Sequence, residues 1–272
     1  MDQVEGHVSR RQVIWKTGLP VVVGALLLVW LFNTPAGLLG KADAIGYAVC
    51  HQIDARSFHL GNRRVPLCAR CTGMYLGAML GLAYQGVISR RRGGMPPLRV
   101  ILILGLLALA FVVDGTNSYL HFFPNAPSLY EPQNWLRTLT GSGMGLVIAA
   151  LLYPAFNQTV WKDWRPSPAL TGIRSMGGLI IAALLLDWLV LTENNMVLYP
   201  LALISAAGVL VLLSMVYSMV WLMVLRKENQ FLRLYQFVYP LMGGFLVGLL
   251  QIGVLDFLRY ALTGTWDGFH LG

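Results

Sequence analysis

All three cysteines of the chain lie between positions 50 and 71: Cys50, followed at once by His51, and the pair Cys68 and Cys71 in a Cys-Ala-Arg-Cys run. Thiolates and imidazoles are ligands of soft metals and the working groups of redox centres. Read as a metal site, Cys50, Cys68 and Cys71 offer three thiolates to zinc, with His51 or His59 as fourth ligand. Neighbours such as Cys50 and His51 rarely bind one ion together, which makes His59 a serious rival. A closed set of four would be structural and would clip the intervening loop. A fourth position filled by water or Asp114 would leave a catalytic site.

Two other readings stay open. A CxxC at a helix N-terminus, beside Arg70, favours the thiolate and suits thiol–disulfide chemistry in an oxidising compartment. That layout resembles quinone-coupled disulfide-forming membrane enzymes, with a quinone as electron acceptor, although those use two cysteine pairs and one pair here is incomplete. The third reading treats the cysteines as incidental and the chain as a transporter or lipid-handling protein. Asp187, Gln251 and Asp256 would then line a path through the membrane.

Other segments bring polar groups to the same end. Asp114, Asn117 and Ser118 close one apolar stretch, and Asn134, Arg137, Thr138 and Thr140 open the next. Asp187 lies one or two turns from the end of a third. Asp114, Arg137 and Asp187 are the candidate catalytic groups. Asp114 and Arg137, which end and begin neighbouring helices, are expected to pair. Arg56, Arg70, Thr72, Asn117 and Asn134 are candidate cofactor contacts. Four arginines between positions 56 and 70 suit an anionic small molecule or a lipid headgroup, or acidic partners on other helices.

The elements that carry these residues follow from composition. With 272 residues, 56% hydrophobic and 12% charged, and a mean hydropathy of +0.62, the chain fits no ordinary soluble domain. A bilayer core takes about 20 apolar residues of helix. Seven such stretches are present, at 12–32, 68–88, 99–117, 136–155, 175–192, 197–225 and 235–256. They are too long and too uniformly apolar for barrel strands. The expected fold is therefore all-α: an integral membrane bundle of about seven transmembrane helices. Residues 1–155 are expected to form a membrane core with an external Cys/His loop at 33–67, and 156–272 to add further transmembrane helices. Ala42-Asp43-Ala44 resembles a signal cleavage site, but the uncharged run from Thr17 to Gly40 is too long for a signal core, so the first helix is expected to be retained.

Basic residues orient the bundle. Arg10, Arg11, Lys16, Arg90, Arg91, Arg92, Arg99, Lys162, Arg165, Arg174, Arg226, Lys227 and Arg233 flank the N-terminus and alternate connections. By the positive-inside rule these are cytoplasmic, as is the N-terminus, while the C-terminus and the cysteine loop are external. The net charge of +8 needs no nucleic acid, because a cytoplasmic collar facing the lipid bilayer accounts for it. The expected location is the cell membrane, crossed several times. Trp15, Trp30, Trp135, Trp161 and Trp164 read as interfacial anchors. His121 and His270 are lone external histidines, and 122–133, with Pro124, is an external loop able to act as a lid. No nucleotide-binding, serine-hydrolase or zincin motif occurs.

Gly73, Gly77 and Gly81, four residues apart, form a smooth strip for close helix contact, with Gly141, Gly143 and Gly145 in a similar role. The strings Cys50-His51-Gln52, Arg56-Ser57-Phe58, Pro66-Leu67-Cys68-Ala69-Arg70-Cys71-Thr72-Gly73 and Tyr75-Leu76-Gly77 resemble the signature of a widespread microbial membrane-protein family of unknown function. Asp114-Gly115 and the set Asn134, Arg137, Thr140 and Gly141 continue the resemblance, which covers roughly residues 45–150. It implies a polytopic protein with an outward polar centre and no assigned activity.

Overall fold

A computed structural model describes residues 10–123 and 127–268, with side chains from Thr17 onward. Pro124, His270 and the side chains of Arg10, Arg11, Trp15 and Lys16 lie outside the described residues. The chain is a helical membrane bundle. Its long helices are α1 (Arg10–Asn33), α3 (Ala69–Ile88), α4 (Leu98–Leu120), α5 (Asn134–Val160), α6 (Ile173–Leu191), α7 (Asn195–Val224) and α8 (Leu234–Thr263). Each matches one expected apolar stretch, with helix ends shifted by up to seven residues.

The expected loop 33–67 is folded instead. Its first part is a short helix, α2 (Gly37–Val49), bent 102° from α1 across Thr34–Ala36. Lys41 staples that bend by donating to the Thr34 carbonyl and hydroxyl, both at 2.9 Å. A 3-10 turn (Asp54–Arg56) and a hairpin of β1 (His59–Leu60) and β2 (Arg63–Arg64) complete the segment. Phe58 and Val65 are buried in a core with Val190, Leu198 and Ala202. Apolar burial therefore holds this cap on the bundle.

α3 and α5 form the centre, packed along the expected strip. A Cβ added at Gly73 or Gly77 would strike the Thr138 or Ser142 carbonyl, and one at Gly141 or Gly145 would strike the carbonyls of Arg70 or Met74. Gly143 differs, facing Leu107 of α4. α7 packs on α3, α5 and α8, and α8 also packs on α1 and α2. Position 155 falls inside α5, and the C-terminal helices pack directly on the cysteine-bearing ones.

Successive long helices alternate in direction. At one end, α3 and α5 begin and α4 and α6 finish around the cysteines. At the other, Arg91 lies 4.4 Å over Trp161, pairs with Asp163 and donates to the Leu232 carbonyl at 2.7 Å. There β3 (Arg92–Gly94) pairs with β4 (Arg165–Pro168). Two expected belt tryptophans are buried: Trp161 beneath Arg91, and Trp30, which donates to Asp256 at 3.3 Å. Trp135 remains exposed.

Candidate metal centre

Cys50 caps the C-terminus of α2 and Cys68 caps the N-terminus of α3, with Cys71 in that helix's first turn. These positions bring the three sulfurs within 4.8 Å of one another. The Cys68 backbone N–H donates to Cys50 Sγ at 3.3 Å, tying the two caps together. Cys50 and Cys68 are buried and Cys71 is half-buried. Hydrogen bonds from the Cys50 and Cys71 thiols, and then His51, hold the Cys68 thiol well below the usual thiol range. The same sharing with Cys68 pushes Cys50 up to about 12.

Among the described residues, no histidine joins the three sulfurs. His59 sits in the exposed hairpin, where Nε2 contacts Asp54 at 3.1 Å and the backbone N–H donates to Glu193. The hairpin turns it outward. His51 stands beside Cys68, but its Nδ1 accepts the Ile53 N–H at 3.0 Å. That hydrogen bond occupies the Nδ1 lone pair a metal would need.

The backbone between Cys50 and Cys68 is fixed independently of the sulfurs. Gln52 adopts φ 52°, outside the range most side chains favour, and its amide donates to the carbonyls of Asp43 and Pro66 at 3.1 and 2.8 Å. Arg259, on the outer turn of α8, donates to the carbonyls of Tyr47 (2.6 Å), Cys50 (2.7 Å) and His51 (3.4 Å). It also lies 4.0 Å over the Tyr47 ring. Its importance could have been suspected from one signal, an arginine on the side of the bundle that the charge rule leaves poor in cations. A cleft of about 420 Å³ between α2 and α8, lined by Cys50, His51, Leu258, Arg259 and Leu262, reaches Cys50.

Beside this centre the expected Asp114–Arg137 pair is replaced by Asp114–Arg70. Arg70 reaches across from the first turn of α3, and also donates to Ser118 Oγ at 2.9 Å. Asp114 further accepts from Tyr130 (2.9 Å) and Thr140 (3.2 Å). Arg137 turns instead to Asn134, one turn back on its own helix, at 2.7 Å. Asn117 clamps the following loop, accepting the Leu129 N–H at 2.7 Å and donating to the Tyr130 carbonyl at 2.9 Å. Thr72 donates to the Leu67 carbonyl at 3.1 Å, so its hydroxyl is spent locally. Asp187 lies elsewhere, accepting from Ser142 at 2.6 Å. Asp187, Asp256 and Gln251 join the separate helix pairs α5–α6, α1–α8 and α7–α8, and share no hydrogen bond.

Asp114 is 1% exposed, so removing Arg70 strands a buried carboxylate. Arg70→Ala is expected to cost about 3–5 kcal/mol. Arg70→Ala with Asp114→Ala should cost clearly less than the two single changes added, while Arg137→Ala with Asp114→Ala should depart from additivity by less, since no hydrogen bond joins that pair. Thermal unfolding of the three single and two double variants in detergent checks this. Additivity at Arg70 would remove the pair as a stabilising contact.

A family model described as "Predicted membrane protein (DUF2085)" matches residues 50–151, from Cys50 into α5. An uncharacterized protein of Methanocaldococcus jannaschii is 30% identical over 122 residues, covering 45% of this chain and 72% of that protein. An uncharacterized protein of Methanothermobacter thermautotrophicus is 31% identical over 103 residues, covering 38% and 83%. No solved structure matches the chain. The matched region holds the whole three-sulfur centre together with Arg70, Asp114 and Arg137, and on these matches the chain belongs to the DUF2085 family of predicted membrane proteins.

Proposed function

We propose that Cys50, Cys68 and Cys71 bind a thiophilic divalent ion, zinc in the first instance, at the outward end of the bundle in the cell membrane. One observation carries this: three sulfurs from two separately anchored elements converge within 4.8 Å. Soft thiolate sets select zinc and copper(I) over hard cations. With His59 turned to Asp54 and the His51 Nδ1 taken by the Ile53 N–H, the fourth position falls to water or an incoming ligand, as in catalytic rather than structural zinc sites. The loop's own fold supports that choice, because Gln52, Arg259 and the Phe58 core already hold it and no metal clip is required. An ion so placed would act as a Lewis acid or activate a bound water, and the cleft beside Cys50 would be the way in.

A second reading has its own supporting observation. Cys68 is the N-cap of α3 with His51 beside it, an arrangement that favours a nucleophilic thiolate. In that reading two thiols become a disulfide, releasing two protons and passing two electrons to a membrane quinone. Elemental analysis of protein purified without reductant, with a thiol count before and after chelation, separates the two. About one zinc per chain, with three thiols unmasked by chelator alone, supports the metal site. No metal, one free thiol and two more appearing only on reduction would overturn it in favour of the redox pair.

A further inference from the structure

We infer that Arg56, Arg70 and Arg137 form a binding site for a phosphate-type oxyanion, distinct from the three-sulfur centre beside it. The three guanidiniums arrive from three elements: the 3-10 turn after α2, the first turn of α3 and the first turn of α5. Arg56 and Arg70 meet on one residue, Arg56 donating to the Ser118 carbonyl at 3.1 Å and Arg70 to its hydroxyl at 2.9 Å. Arg137 stands beside them, since Thr140, three residues on in α5, donates both to the Arg137 carbonyl and to the Asp114 carboxylate that Arg70 holds. Phe122 lies under the Arg56 guanidinium at 3.6 Å and fixes its plane.

The charges in this cluster do not balance. Among the described residues, Asp114 is the one carboxylate in ion-pair contact with any of the three, and Arg70 takes it. Its oxygens are also occupied by Tyr130 and Thr140. Asp54 is turned to His59, and Glu131 is exposed. An ionised Cys68 would compensate one further charge, which still leaves three cations against two anions. Arg137 carries the imbalance. It is 6% exposed, and of its five N–H donors one is used, on Asn134, while its buried Nε has no partner. The Arg70 Nε is likewise buried and unpartnered. A buried cation without a counter-charge is strongly unfavourable, and an oxyanion with several acceptor oxygens is the group that relieves it. Arginine forks suit phosphate because two parallel N–H donors match two of its oxygens.

The depth of the cluster suits either of two sources of this chemistry. Tyr119, Phe123, Leu129 and Trp135, all exposed around the same helix ends, mark the membrane surface, where anionic headgroups lie. The same surface is open to phosphate in solution.

The test uses the full chain in phosphatidylcholine nanodiscs, followed by thermal unfolding. In one arm inorganic phosphate is titrated at constant ionic strength, with chloride as control. In the other, phosphatidylglycerol replaces about a fifth of the lipid. A rise in the unfolding midpoint of about 5 °C is expected in at least one arm, since a ligand well above its Kd stabilises the folded state. A rise with phosphate identifies the soluble anion, and a rise with phosphatidylglycerol alone identifies the headgroup. Arg137→Gln should reduce the response at least tenfold in apparent affinity. Arg56→Gln, at a half-buried position outside the helices, should do the same without threatening the fold. No rise in either arm, an equal rise with chloride, or an unchanged response in Arg56→Gln would each overturn the site. Zinc content measured on the same samples keeps this result separate from the thiol site, which Arg56 does not touch.

Discussion

Cys68→Ser and Cys71→Ser are each expected to lower bound zinc from about one ion per chain to less than a tenth. Serine is a poor ligand for a soft cation, and with neither histidine in the ligand set two thiolates remain, too few to hold the ion. Cys50→Ser should act the same way, because its sulfur belongs to the same group of three. His59→Ala should leave the metal content unchanged, since its ring faces Asp54 in the exposed hairpin. His51→Ala should weaken binding only partly, acting through the orientation of Cys68 and not through ligation. Inductively coupled plasma analysis of the purified variants checks all five. A loss at His59→Ala as large as at Cys68→Ser would show that the hairpin rearranges to ligate, and the open fourth position would have to be abandoned. Acid should also release the ion as protons compete for the thiolates.

Helix number and type were legible because length and apolar content decide them, and each of the seven stretches became one long helix. α2 was not legible. At 13 residues it is too short to announce a span, and its buried residues, among them Ala44, Ile45 and Tyr47, read as part of a polar external loop until α7 and α8 are packed against them. The meeting of the three sulfurs is legible in their spacing, since a cap-to-cap approach of two helix ends needs only the right intervening fold. Which partner each polar group chose was beyond the sequence. Arg70 and Arg137 both stand in the first turn of a helix at the same end, and the close approach of α3 to α5 determines which one reaches Asp114. His59 is a plausible fourth ligand by sequence distance alone. The Gly61 turn, at φ 61°, folds β1 back on β2 and carries the ring away. Arg259 is far in sequence from Cys50, and only the return of α8 beside α2 brings it to that carbonyl.

A large loss of stability is expected from Gly77→Leu. α3 carries the CxxC pair and α5 carries Arg137, and their mutual position rests on backbone contact through glycines. At Gly77 even a methyl group would meet the Ser142 carbonyl and lie 2.9 Å from its Cα. Backbone cannot swing aside as a flexible side chain can, so the two helices must part along their whole contact. The neighbouring strip residues Gly73, Gly141 and Gly145 face backbone in the same way, and parting at one point loosens all of them. Leucine in place of Gly77 should cost at least about 3 kcal/mol, at the upper end of overpacking penalties, and folded yield should fall severalfold. Gly86→Leu provides the control on the same helix. Gly86 is exposed with nothing within 4 Å of an added Cβ, so leucine there should be neutral or slightly stabilising through better helix propensity. Unfolding midpoints and monodisperse yield in detergent compare the two. If Gly77→Leu matches Gly86→Leu, α3 and α5 are not in backbone contact, and the placement of Cys68, Arg70 and Cys71 against Arg137 and Thr140 fails with it.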